Sequence, residues 1–437
     1  MYKQLLFALN YLFMMHTEMA ARVCLRQATR EHREQLQALP FFRSLAAGTM
    51  DATSYLDFLK VLEAVHEAVD EAARRLLLHS AAALWDEPSS RRAALAADIA
   101  CLEAKGTRQR SVNAQVYALA LGEEVMALAE AGDTMALLGA LYVLRGFALG
   151  APVLRAQLER SGPRGLDLPT GALSVNADEA HADWERFGEA LDAAVGRSAD
   201  IERAVHGAQM LSDRLQRALA AVSPQPDTLR VTAAALNPEA GNHSIGRDPL
   251  ELKAALKAGR ISWQRFPYYK WRFGARGRRF TRTDSAWLVT LSQYDSAVMK
   301  QQIDWLGMLL SSRGMPQWLL EQHLETLVAE LHRELPDRLG RYDGLRSAAQ
   351  HLREGRCSQI SEARFTQLWS AFDATVGEPW RARLPEAGAL LVAAVADRKA
   401  GIRQAVSSLE SWMTDPTRFP RSWIEAARAT LRDATAQ

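Results

Sequence analysis

Several things this 437-residue chain has little of narrow its reading at once. Cysteine is scarce: Cys24, Cys101 and Cys357 stand far apart, with no C-x-x-C pair. That argues against a disulfide framework and a cysteine zinc site, and it suits a reducing, cytoplasmic setting. Alternation of apolar and polar residues with period two is nearly absent, so strands are not indicated. An excess of charge is missing too, at a net +2, so whole-chain electrostatics give no reason to expect nucleic acid as a partner. The apolar run Leu5–Met15 follows a single Lys3. It is short of the roughly 20 residues that cross a bilayer, and no small-x-small cleavage site follows it. We read it as an extension whose apolar face docks on the protein, with a membrane-surface role as the alternative and Met19 as a second candidate start. No transmembrane segment is expected.

What the chain does have is helix-forming sequence. Ala, Leu, Arg and Glu dominate, hydrophobic residues make up 48% and charged ones 24%, which predicts an ordinary all-α globular protein. The length exceeds what one core usually serves and implies two domains. Pro224, Pro226, Pro238 and Pro249, with Gly241 and Gly246, interrupt the helical periodicity and mark the boundary. The expected division is an extension at 1–18, a helical domain at 19–222, a Pro/Gly-rich linker at 223–248 and a second helical domain at 249–437. Asp295 reads as an N-cap, Gly314 as a helix stop, and Pro316 as the start of the next helix, with Pro336 after its end.

Two segments of the first domain carry chemistry. CLRQATREHREQLQALPFF reads as an amphipathic helix closed by Pro40. Leu25, Thr29, His32 and Leu36 share its inner face, while Arg30, Glu31, Arg33 and Glu34 are solvated. An imidazole turned toward an apolar interior suits an axial ligand for heme iron. A core histidine hydrogen-bonded to a neighbour gives the same pattern, and periodicity leaves both readings open. The uncharged run TMALLGALYVL predicts a buried helix, and Gly139, Gly146 and Gly150 form a bare stripe along it. Glycine in a helix costs up to about 1 kcal/mol against alanine, so the stripe implies a close helix contact or a flat ligand against the backbone. Pro152 predicts a kink near Ala148.

These residues, in order and spacing, carry a resemblance. LRQATREHREQL, LPFFRSLAAGTMDATSYLDFLKVLEAVHEAVDEA, RRAALAADIACL, LYVLRGFALGAPVL and WERFGEALDA resemble biliverdin-producing bacterial heme oxygenases of the phytochrome-associated type, over residues 21–220. The resemblance implies a heme oxygenase-like helical bundle that binds heme as cofactor and substrate and releases biliverdin, iron and carbon monoxide. It implies electrons from a separate reductase or ferredoxin, and a phytochrome-type bilin acceptor as a partner. His32 takes the place of the iron ligand, and Gly146 and Gly150 that of the distal-helix glycines that give catalysis its room. Phe147 stands where the family carries a small or polar residue beside the oxygen site. Arg145 replaces a residue that is often acidic, and Ala151 replaces the second glycine of a pair. These departures threaten ring cleavage more than heme binding, and leave a non-catalytic heme- or bilin-binding protein as the alternative.

Other patterns compete. Arg22 and Arg26 approach His32 along the helix and are candidates for heme propionates, surface arginines being the plainer reading. Glu63 and His66 form an E-x-x-H pair as in di-iron bundles, with no second such pair in this half. The second domain opens with residues 260–282, which hold seven Arg, one Lys, seven aromatics and no acid. The favoured reading is core aromatics with arginines docked on an acidic face of the first domain. A flat anion such as a tetrapyrrole comes next, and single-stranded nucleic acid last.

Overall fold

The computed structural model describes residues 20–78, 83–85, 91–161, 168–223 and 231–436; the apolar run Leu5–Met15 lies outside them. The chain divides into two compact units, Met1–Leu229 and Arg230–Gln437. Among the described residues both are built from helices, with no strand.

The first unit opens with three short helices, α1 (Ala21–Ala28), α2 (Arg30–Gln37) and α3 (Pro40–Ala46). The sequence predicts one helix over the first two. Instead Thr29 breaks it with φ −103° and ψ 5°, its hydroxyl donating back to the Leu25 carbonyl at 2.8 Å, a bond that competes with helix continuation. Pro40 occupies the first position of α3, where its missing N–H costs nothing. There follow α4 (Ala52–Leu77), α5 (Arg92–Ala104), α6 (Val112–Ala131), α7 (Thr134–Leu149), α8 (Ala151–Ser161), α9 (Ala177–Ala194) and α10 (Ser198–Ala220). Side chains of Asp51, Ser111 and Asp133 cap α4, α6 and α7 at their N-termini.

The tightest crossing joins α7 and α10. A Cβ built on Gly139 would lie 1.8 Å from the Ala204 carbonyl oxygen, and one on Gly207 would lie 1.9 Å from that of Ala136. Each helix therefore lays backbone against backbone where the other lacks a side chain. Part of the glycine stripe is thus a helix contact. By length and apolarity the run Thr134–Arg160 is the one stretch among the described residues that would suffice to cross a membrane. Here Leu137, Leu138, Leu141 and Leu144 of that run are buried in the core.

The second unit begins earlier than the sequence predicts. Within the expected linker, Val231, Ala233, Asn237 and Ile245 are buried, and Ile245 N–H donates to the Val231 carbonyl at 3.1 Å. Proline and glycine there shape short turns and two single-turn 3₁₀ helices, Ala233–Ala235 and Pro238–Ala240. Then come α11 (Pro249–Arg265), α12 (Pro267–Thr290), α13 (Ser296–Ser312), α14 (Gln317–Glu334), α15 (Asp343–Gln359), α16 (Glu362–Val376), α17 (Glu378–Arg383), α18 (Ala387–Lys399), α19 (Ala405–Met413) and α20 (Arg421–Thr435). Asp295 caps α13 through the N–H groups of Ala297 and Val298, and Gly314 follows that helix with φ +84°. The centre of this unit is α18, buried from Ala387 to Asp397. Its Asp397 accepts from the Ser311 hydroxyl and the Gln317 N–H.

Candidate functional site

His32 sits on α2 with its side chain 18% exposed, and its Nε2 lies 2.6 Å from Asp213 Oδ1 on α10. Its other nitrogen, Nδ1, is buried and has no hydrogen-bond partner. A carboxylate only accepts, so the hydrogen of a neutral ring belongs on Nε2 and the lone pair on the buried Nδ1. One turn earlier, buried Thr29 accepts from the Arg33 guanidinium at 3.1 Å. Arg33 also hydrogen-bonds Tyr142 of α7, and the charges of Arg33, Arg26 and Arg22 offset the burial that pushes the Tyr142 phenol above its usual range.

The two candidate propionate arginines stand in different settings. Arg22 is already engaged: its backbone N–H and its Nε reach Asp192 at 2.9 and 2.6 Å, and its Nη1 reaches Glu185 at 2.9 Å. Those α9 carboxylates hold the guanidinium charged. Arg26 is exposed. Arg22 therefore ties α1 to α9.

On α7 the glycines separate by role. Gly139 makes the α10 crossing. Gly146 turns to α9, where the Trp184 indole lies at ordinary contact distance, 3.5 Å from where a Cβ would be. Trp184 also packs on Tyr142, with centroids 5.1 Å apart, and Arg145 lies 5.1 Å from the Phe187 ring centre. Gly150 ends α7 in ordinary right-handed conformation, φ −80°, and α8 starts at Ala151. The break thus falls at Gly150, two residues after the predicted kink, because Pro152 has no N–H to continue the ladder. Phe147 faces Phe58 of α4 at 6.2 Å, in a cluster where Phe58 stacks on Phe41 at 4.6 Å. The structure therefore links Thr29 and Arg33 to Tyr142 and His32 to Asp213, but turns Phe147 and Gly146 toward different neighbours. Sequence reasoning missed Asp213 and Tyr142, and took Trp184 only as part of a closing helix.

Glu63 and His66 gather no metal site. No group of three or more His, Cys, Asp or Glu suited to a metal occurs among the described residues. His66 is buried, and desolvation together with the charges of Arg91 and Arg92 pushes its imidazole down to about 4. Such a cationic neighbourhood repels a metal ion.

In residues 260–282, Trp263, Phe266, Tyr268 and Tyr269 belong to the core of the second unit. The arginines find partners within that unit. Arg265 pairs with Glu386, Arg276 and Arg279 share Glu239, and Arg272 donates to the Ser408 carbonyl. The aromatics are core as expected, while these four arginines are engaged by groups of their own unit.

Comparison with known proteins bears on the first unit. Residues 19–211, under half of the chain, match the family model described as heme oxygenase. The solved structure of heme oxygenase from Leptospira interrogans is 16% identical, over 46% of this chain and 99% of that chain, with a TM-score of 0.39. A comparison with curated protein sequences finds no match. The helices that carry His32, Tyr142, Gly146 and Trp184 all fall inside the matched range, and the segment 19–211 of this chain is a domain of the heme oxygenase family.

Proposed function

We propose that the first unit binds heme through His32 and opens the ring oxidatively to biliverdin, iron and carbon monoxide, with electrons from a separate reductase or ferredoxin. The observation that carries this is the His32 imidazole: one nitrogen hydrogen-bonded to a carboxylate, the other buried without a partner. Histidines that ligate metals commonly donate their other N–H to a carboxylate, which fixes the tautomer and raises ligand basicity. On the proximal side the residues fit the group. Heme would supply an iron with an open position for oxygen. Asp213 would orient the ring from α10, and Arg26 and Arg33 offer positive charge for its propionates. On the distal side the bare face of Gly146 is covered by Trp184, so a flat ring there requires the indole to turn aside.

A second reading, heme binding without cleavage, has its own support. The neighbours recorded around Gly146 and Phe147 are aromatic, Trp184 and Phe58. Phe58 has no hydrogen-bonding group and Trp184 only a donating indole N–H, so neither supplies an acid or a relay that would deliver a proton to bound oxygen. One experiment tests both. Hemin added to the full chain is expected to give a Soret band that His32→Ala abolishes or shifts. Reductant and oxygen then separate the readings: biliverdin absorption marks the enzyme, and a Soret band that persists marks the binder. No Soret band at all refutes both.

A further inference from the structure

The second unit contains a cavity of about 840 Å³, large for a small-molecule site, which usually spans roughly 300–1,000 Å³. Its origin is legible in α12. Gly274 interrupts that helix with φ +56° and ψ −158°, a conformation that favours glycine. One turn on, a Cβ on Gly277 would come within 2.4 Å of Phe273 Cβ and 3.5 Å of the Trp263 ring. The break and the bare position let these two aromatics lie against the helix and form one wall. Beyond them Phe280, Asp284 and Trp287 follow at i, i+4 and i+7, so they share one face and line the same hollow. The opposite wall comes from α13, where Trp305 meets Trp287 edge to face at 6.4 Å and remains 52% exposed at the mouth.

Inside these aromatic walls stands one acid. Asp284 has no hydrogen-bonding partner among the described residues. Burial pushes its carboxyl up to about 7, with only the Arg313 charge pulling back. A half-buried carboxyl that lines a cavity without a protein donor is open to a donor from a ligand. Positive charge lies on the same lining in Arg313 and Arg276. Arg276 and Arg279 share the single carboxylate of Glu239, which leaves that edge with a net positive charge.

The lining narrows the occupant. A purely apolar molecule would desolvate Asp284 without compensation. A polyphosphate would meet the carboxylate, and a simple cation would leave the arginines unmatched. We propose that this cavity binds a flat conjugated molecule with N–H donors along its middle and carboxylates at its edge, namely a linear tetrapyrrole of the kind that ring opening releases. The chemical class follows from the lining, while the choice of tetrapyrrole rests on the activity proposed for the first unit. Pyrrole N–H groups would donate to Asp284, carboxylates would meet Arg313 and Arg276, and the indoles would stack on the conjugated faces.

Biliverdin itself is the probe, added to the full chain so that no cleavage is needed. Saturable binding is expected, read as a shifted visible band with induced circular dichroism. Asp284→Asn and the exposed Trp305→Ala should each weaken it at least tenfold, and His32→Ala should leave it unchanged. Absence of saturable binding overturns the proposal. So does binding that His32→Ala abolishes, or binding that ignores both cavity variants. Hemin binding, followed separately through the Soret band, tests the first unit alone. Its failure with biliverdin binding intact would overturn the proposed function and leave this site standing.

Discussion

Replacing Gly139 by alanine adds a single methyl group where two helix backbones touch. That Cβ would lie 1.8 Å from the Ala204 carbonyl oxygen, 2.7 Å from its carbonyl carbon and 2.9 Å from the Ala208 nitrogen. Carbon contacts are comfortable at about 3.5 Å, so α7 and α10 would have to part by roughly 1.5 Å along their crossing. No rotamer can relieve a clash between a Cβ and main-chain atoms. The cost therefore belongs at the upper end of the usual overpacking range of about 1–3 kcal/mol. Alanine's better helix propensity returns up to about 1 kcal/mol, leaving a net loss near 2 kcal/mol. For a unit of some 200 residues that corresponds to a Tm lower by about 4–8 °C. Urea denaturation followed by far-ultraviolet circular dichroism should show a lower midpoint at unchanged slope. Gly146→Ala is the internal control. Its added methyl would meet only the Trp184 ring at 3.5 Å, so stability should hold or rise by up to about 1 kcal/mol. Equal stability of Gly139→Ala and the parent, or an equal loss in both variants, would refute the division of labour among these glycines.

Other expectations follow from the same geometry. Asp213→Asn should weaken hemin binding and shift the Soret band less than His32→Ala does, since it alters the partner and spares the ligand. Helix content by circular dichroism should be unchanged in both. Trp184→Ala should uncover the Gly146 face and raise hemin affinity, whereas Gly146→Leu should lower it; the opposite order would place heme elsewhere. The Asp284 carboxyl, ordinarily near 3.8, is pushed up to about 7 in the fold. The native state therefore holds that proton more tightly than the unfolded chain. The stability this provides is full below about pH 4 and is lost as pH climbs toward about 7. At about 1.4 kcal/mol per tenfold change in proton affinity, the upper bound is roughly 4 kcal/mol. Asp284→Asn, fixed neutral, should thus be more stable than the parent at pH 8 and equal to it near pH 4, as read from paired melting curves.

Helicity and the inward turn of His32 were legible because each is written locally, in a 3.6-residue period. The carboxylate that defines the His32 tautomer was not. Asp213 lies 181 residues away on α10, and nothing in its own surroundings sets it apart from other surface acids. Arg22 shows the reverse problem. Its position on α1 suggested a propionate, but the partners that claim it, Glu185 and Asp192, sit on a helix whose register the sequence does not reveal. Phe147 could be flagged as a departure from a family pattern, yet its direction depends on the phenylalanine cluster of α3 and α4. The stretch 231–248 carried the composition of a linker because turns and 3₁₀ corners use the same residues as unstructured chain. The cavity in the second unit rests on a left-handed Gly274, which periodicity passes over as one more helical residue.

The reciprocal glycine crossing has a mechanical side. Two helices whose backbones interlock at Gly139 and Gly207 cannot slide or roll past one another without collision, so they move as a single strut. That strut bears Gly146 at one point and, through Asp213, steadies His32 at another. Distance between the two faces of the proposed ring slot is then set by the strut's own geometry, with little freedom to breathe. If the first unit takes a flat guest as proposed, the side left for it is that of α9, where Trp184 covers Gly146 and Arg22 joins α1 to Glu185 and Asp192.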